Sequence, residues 1–540
     1  MILRTFVLLF IVVYTNSVFS QVRITGDIID SKSHTALAYV NVGIKEKNVG
    51  TASTKNGSFS IRIPADHLND TITFSMVGYH ELNVPIHYFN FEKKITIRLI
   101  EKITALDEFV VLGEKFVQKK YGIKRRGLIH FTDGIFKEDD SFEIGQLIKL
   151  GNNETQITSV NLHINAFRSD SASFRINFYR YNEDDDRPTA RVIEKSILQR
   201  HAIREGWLKF DLTEYNVLLK GKVVVSIEFI PESKSGIKQI YYEVKIGGSS
   251  KSFYRRNSLG QWNIPPHHYC LYVTALADKD APDEPEEKET VPSITLRSAT
   301  SKEPFSVFVR LPKDYQGNIK KSYPVVYHVD GNAFFGPVTS SVDRLSKKKK
   351  IAVDPIVVGI GYENAYVMDS LRNRDYTFPK ALPKDSFHIS GGGEGFYNFI
   401  KTKLEPYIEK TYRIDTSNRT IMGHSLGGYF VLFALLRDIE GKALFDNYVA
   451  ASPSITYYDN YILKQFQDLS YKKDKRKVKL YLTTGGTEID EDPDNSFNYF
   501  RQILSHQDFI QLKWKVYENL EHMGTAVPSF EDGLEFVLDN

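Results

Sequence analysis

Arg419-Thr420-Ile421-Met422-Gly423-His424-Ser425-Leu426-Gly427-Gly428 is the stretch on which the fold turns. Thr420 to Met422 end a short apolar run, and from Leu426 the apolar spacing becomes helical. A serine between glycines at a strand-to-helix junction is the setting of a nucleophile elbow. The glycines let the chain reverse sharply and keep side chains clear of Ser425. The serine then projects at a helix N-terminus, where the dipole favours developing negative charge. The amide of Leu426 is one candidate oxyanion donor. Gly-x-Ser-x-Gly alone arises often by chance, so its weight rests on what surrounds it.

Upstream, Pro324-Val-Val-Tyr-His-Val329 and Pro355-Ile-Val-Val-Gly-Ile360 are near-continuous apolar runs, as expected of central strands covered on both faces. Ile294 to Ala299 and Phe305 to Leu311 read as an antiparallel pair. An amphipathic stretch from Glu394 to Tyr412 is opened by Gly391-Gly-Gly393. Downstream come strands from Asn447, Val478 and Gln511, then a closing helix. This alternation predicts a mostly parallel sheet with helices on both sides over residues 292–540. An elbow of this kind is followed by an acid and then a histidine. Glu488, nearest the end of the Val478 strand, is the first candidate acid and Asp490 the reserve; the other carboxylates of that loop read as solvated. His522 follows the last strand and is the candidate base, because its one competitor, His506, lies in a helix-like segment before that strand. Arg372 and Arg374 are candidates to bind an anionic substrate; the alternative is ion pairing with Asp375 or Glu394. His424 reads as a packing residue or a weak substrate contact.

At 540 residues the chain is too long for one core. Its 41% hydrophobic and 25% charged residues are ordinary for globular domains, and 13% aromatics suit β-rich ones. A net charge of +3 gives no reason to expect nucleic acid or another polyanion as partner. Residues 1–20 read as a signal peptide: Arg4, an apolar run from Thr5 to Tyr14, then Val18-Phe19-Ser20 before Gln21. Export to the periplasm or the outside is the expectation, with an uncleaved anchor helix as the alternative. No second long apolar run predicts a transmembrane segment. The single cysteine, Cys270, excludes an intrachain disulfide and reads as a small buried hydrophobe. No cysteine follows the apolar run, so anchoring would need a cell-envelope partner. No metal, nucleotide-loop or cofactor signature is present: the histidines lack ligand spacing, and Gly391-Gly-Gly393 does not follow a strand.

Two β-rich blocks precede the catalytic one. Residues 22–112 alternate apolar and polar positions in short runs broken by turn signals such as Asn56-Gly57, a sandwich pattern. Residues 114–278 hold longer alternating strands, among them Val160 to Phe167 and Val223 to Phe229, and read as a second, jelly-roll-like sandwich. Trp207, Trp262 and Tyr254 could grip sugar rings, or fill the sandwich core. Residues 279–291, acidic and proline-containing, read as a linker.

These segments carry two resemblances. Gly26-Asp-Ile-Ile-Asp30, Ala38-Tyr-Val-Asn-Val42, Gly50-Thr-Ala-Ser-Thr54 and Val77-Gly-Tyr79 resemble the carboxypeptidase-regulatory-like domain, a spacer or docking module without chemistry of its own. Residues 291–540 resemble the esterase family that includes siderophore esterases acting on enterobactin, salmochelin and bacillibactin. The matching segments are Tyr327-His-Val-Asp-Gly-Asn-Ala-Phe334, Arg372-Asn-Arg-Asp-Tyr-Thr377, the Ser425 motif and Ala450-Ala-Ser-Pro-Ser454. The resemblance implies an α/β-hydrolase fold, carboxylic ester hydrolysis by Ser425 and His522, and a second oxyanion amide at Gly331 or Asn332. His522-Met-Gly-Thr525 departs from the usual His-Gly-Ser, which alters the adjacent pocket. The substrate would be a small-molecule or glycan-linked ester. Acyl transfer to an alcohol, or glycan binding beside an inert hydrolase domain, are the competing readings.

Overall fold

A computed structural model describes residues 21–102, 116–126, 129–131, 142–165, 171–230, 240–246, 250–281, 291–298, 303–363, 365–385, 387, 389–441, 443–469, 476–490, 492 and 494–539. The signal segment and most of the linker lie outside the described residues.

In the first domain, strand Gln21–Asp30 buries every second residue. It pairs antiparallel with Ser58–Pro64 and parallel with Ile95–Leu99. A second sheet is built from Gly50–Ala52, Asn41–Gly43, Thr71–Ser75 and Leu82–Pro85. Ile24, Ile28 and Phe59 from the first sheet meet Val42, Ile72 and Phe74 from the second in one core.

The middle domain also has two sheets, with Phe174, Ile176 and Val225 of one facing Leu162 and Val273 of the other. The intervening residues of the first sheet, Arg175, Asn177, Ser226 and Glu228, point away from that core yet are buried. Asn177 and Ser226 bond Glu143 within the domain, and the first domain covers Arg175. Arg175 pairs with Glu228 at 2.9 Å, donates to Asn41 Oδ1 at 2.8 Å and reaches the Tyr39 carbonyl. The Glu46 amide donates to the Leu259 carbonyl at 2.9 Å and Asn257 to the Lys47 carbonyl. Trp262 is buried under Arg255, 4.3 Å from its guanidinium, and edge-on to Tyr179, so it fills space rather than facing outward. Cys270 is buried.

The C-terminal domain has one sheet: β1 (Ile294–Arg297), β2 (Pro304–Arg310), β3 (Tyr323–His328), β4 (Ile356–Tyr362), β5 (Ile414–His424), β6 (Asn447–Ala451), β7 (Val478–Gly485) and β8 (Ile510–Tyr517). The order is β1-β2-β4-β3-β5-β6-β7-β8. β2 pairs antiparallel with β1 and β4, and every other neighbouring pair is parallel. Successive residues of the central strands point to opposite faces, both apolar. Val325, Tyr327, Ile421 and Tyr448 face helix α3 (Leu426–Glu440). Val326, Met422, Val449 and Tyr481 face α1 (Gly331–Lys347) and α4 (Ala526–Leu538). A further helix, α2 (Ala365–Asp375), carries Arg372 and Arg374. The parallel strands all end on one side of the molecule, and the turns leaving β3, β5, β6 and β7 gather there.

Candidate active site

Ser425 sits between the end of β5 and the start of α3 with φ 61° and ψ −122°. A non-glycine residue in this region is strained by about 1–3 kcal/mol, a strain that only surrounding contacts can hold. Here the Ser425 amide donates to the Ala451 carbonyl at 3.0 Å, and the Ser425 carbonyl accepts from the Tyr429 and Ser454 amides. The glycines make the turn possible, since a Cβ on Gly423 would lie 2.5 Å from the Gly427 carbonyl oxygen. The Leu426 amide heads α3, where the first N–H groups have no acceptor within the helix.

β7 delivers the acidic partner. Past Gly485 the chain makes the short turn Gly486–Asp490, and Glu488 Oε2 comes within 2.5 Å of His522 Nδ1. Glu488 Oε1 accepts from the Gly485 amide and from the Ser452 hydroxyl, each at 2.8 Å. Ser452 meets the Thr525 hydroxyl at 2.7 Å, and Thr525 also reaches the His522 carbonyl at 2.7 Å. That carbonyl accepts from His424 Nε2 at 2.8 Å, which fixes the proton of His424 on that nitrogen. Burial pushes the Glu488 carboxyl up, but the His522 hydrogen bond, the Gly485 amide and the Ser452 hydroxyl together hold it below the usual range. Burial, with His522 alongside, holds His424 down to about 3. Asp490 is exposed at the end of the same turn, and His506 bonds its own helix at the Gln502 carbonyl.

On the other side of Ser425, the chain leaves β3 through Asp330, at φ 55°, whose carbonyl accepts from the Ala333 and Phe334 amides. Gly331 and Asn332 are the first residues of α1, so their amides also have no intrahelical acceptor. The Asn332 side chain is clamped to β4, accepting from the Tyr362 amide at 2.6 Å and donating to its carbonyl at 3.0 Å. That clamp requires Gly361, where a Cβ would lie 2.3 Å from Asn332 Oδ1.

The partner of Arg372 differs from those the sequence offers, and His424 takes the packing role. Arg372 pairs with neither Asp375 nor Glu394: its Nε and Nη2 grip the two oxygens of Asp330 at 2.9 and 3.0 Å. Arg374 does bond Asp375, at 2.8 Å, and reaches Glu303, while Glu394 goes to Arg437. Residues two apart on a helix point about 200° from each other, so one arginine turns to the α1 loop and the other away. His424 is fully buried between Phe334 and His522 and backs the His522 turn instead of meeting substrate. Ser452 and Thr525 were not singled out individually in the sequence, although Ala450-Ala-Ser-Pro-Ser454 and His522-Met-Gly-Thr525 contain them.

A strained serine at the end of a central strand, a histidine bonded to a carboxylate, and two sets of helix-terminal amides are the apparatus of acyl transfer. Residues 298–490 match the family model described as Putative esterase, and residues 24–111 that of the CarboxypepD_reg-like domain. Over 214 residues the chain is 36% identical to the ferri-bacillibactin esterase BesA of Bacillus subtilis (strain 168), covering 37% of this chain and 72% of that one. It is 33% identical over 140 residues to the apo-salmochelin esterase of Escherichia coli O6:H1, covering 25% of this chain and 42% of the relative. Among solved structures, the BES protein from Bacillus cereus is 26% identical with a TM-score of 0.39, over 47% of this chain and 99% of that one. The class is that of a carboxylic ester hydrolase. The chain belongs to the Putative esterase family, with a CarboxypepD_reg-like domain ahead of its catalytic domain.

Proposed function

We propose that the chain is an exported serine esterase that opens the ester bonds of siderophore-type substrates through an acyl-enzyme at Ser425. The 2.5 Å contact between His522 Nδ1 and Glu488 carries this reading, because it leaves Nε2 of the neutral imidazole as the proton acceptor. Ser425 Oγ attacks the ester carbonyl while His522 Nε2 takes its proton. The amides of Leu426 and of Gly331 or Asn332 hold the oxyanion. His522 returns the proton to the leaving alcohol, and the same group then activates the water that releases the acid and restores Ser425. Glu488 stabilises the imidazolium at both stages. The Arg372–Asp330 pair fixes the α1 loop and so the second set of amides. The substrate class is supported by relatives whose names state siderophore esters, and export by the apolar segment before Gln21. The first domain serves as the module that meets a cell-envelope partner. Among the described residues no helix is long and apolar enough to cross a membrane.

Hydrolysis of p-nitrophenyl acetate by residues 21–540 and by its Ser425→Ala variant tests the site. Activity in the parent and its loss in the variant is the expected result; equal rates would overturn the Ser425 assignment. Ester release from a triscatecholate lactone, followed by product chromatography, then tests the substrate class.

A further inference from the structure

The middle β-domain takes no part in this chemistry, yet it reaches the rim of the ester site at two places. Ile246, at the end of strand Tyr242–Ile246, packs against the cluster that holds Phe334, Val338 and Phe530, and so against α1. Pro266 lies over the turn that carries His522, since a methyl group on Gly524 would sit 3.7 Å from the Pro266 Cβ. The two footings flank His424, whose ring is 6.1 Å from Phe334 and 4.7 Å from His522. The middle domain is thus seated on both segments that bound Ser425 on that side.

Leading into the second footing runs Asn263-Ile264-Pro265-Pro266. Two prolines stiffen it. Asn263 is tied to Tyr254 by paired backbone hydrogen bonds of 2.9 and 2.8 Å, and Pro265 is buried. Ile264 is nevertheless 55% exposed. A single exposed isoleucine is ordinary on a surface; this one stands two residues from Pro266, which meets the His522 turn. We propose that residues 263–266 form an outer wall of the ester site and that Ile264 contacts the acyl group of bulky, apolar esters. The middle domain then sets the size selectivity of the catalytic domain. This rests on Ser425 being the nucleophile.

The test compares kcat/KM of the full chain and its Ile264→Asp variant on p-nitrophenyl benzoate and p-nitrophenyl acetate. Loss of an apolar contact of this size changes discrimination by about tenfold. The expected result is a tenfold fall in the benzoate-to-acetate ratio, carried by KM rather than kcat, with a smaller fall in the same direction for Ile264→Ala. An unchanged ratio in a protein that hydrolyses both esters overturns the wall and leaves the Ser425 reading standing. A parent that hydrolyses neither ester, and is not labelled at Ser425 by a fluorophosphonate, overturns both.

Discussion

Replacing Glu488 by glutamine alters the chemistry of the site while keeping its shape. In the parent, Oε1 accepts from the Gly485 amide and the Ser452 hydroxyl, and Oε2 accepts from His522 Nδ1. Glutamine has one accepting end and one donating end. The Ser452 hydroxyl can rotate to become an acceptor, but the Gly485 N–H cannot, so the amide oxygen settles at the inner position. The NH2 group then faces His522 and forces Nδ1 to accept. The ring proton moves to Nε2, the nitrogen that must receive the proton of Ser425. Holding the wrong tautomer lowers kcat by about a thousand- to ten-thousandfold in serine hydrolases, or about 4–5.5 kcal/mol of barrier. The measurement is kcat for p-nitrophenyl acetate at pH 8, with circular dichroism to show that the fold is kept. A fall of less than tenfold, or a larger fall for Asp490→Asn, would refute the assignment of Glu488.

Ser452→Ala leaves Oε1 with the Gly485 amide alone; kcat should drop about tenfold with KM little changed, since a hydrogen bond to a charged group contributes about 1.5–3 kcal/mol, and steady-state kinetics would expose an unaltered kcat. His424 has a folded pKa of about 3 against an ordinary 6.5, so the unfolded chain takes up the proton first. Its stabilising contribution is complete above about pH 6.5 and is lost as pH falls towards 3, at up to about 1.4 kcal/mol per unit. Denaturant titrations of the catalytic domain's transition at pH 7 and pH 5 should therefore show a loss about 2 kcal/mol greater in the parent than in His424→Gln, and identical losses would contradict the account. Gly361→Ala drives a methyl group into Asn332 Oδ1; a destabilisation of about 1–3 kcal/mol together with a reduced kcat is expected from thermal melts and kinetics, and a neutral variant would dismiss the clamp.

The parts of the site that follow from chain order were legible. Ser425 and Glu488 follow the apolar runs of β5 and β7, and His522 follows the alternating strand β8, so these candidates could be placed from where the strands stop. The interaction partners that depend on folded geometry were not. Ser452 and Thr525 are single hydroxyls in loops without local periodicity, and only the packing of β6 against β7 brings Ser452 to Glu488. The partner of Arg372 is Asp330, 42 residues away in the turn after β3, whereas the sequence around Arg372 points to Asp375 or Glu394. Trp262 shows the same limit. Its loop position leaves both an outward and an inward reading open, and burial under Arg255 decides for the inward one. In the middle domain the alternation is plain, but the face of Arg175 and Glu228 is polar and still buried, which period-two patterning reads as solvated.

The two joints of this chain are made of different material. The first domain meets the second through Arg175, Asn41, Asn257 and backbone groups, all of which water can satisfy equally well. The second meets the third through Ile246 and Pro266 on an apolar bed, which water cannot replace without cost. A pull on the N-terminus would therefore part the first joint and leave the second shut. Parting the leading module from the second would rehydrate mainly polar and backbone groups, and the geometry around Ser425 would not register the load.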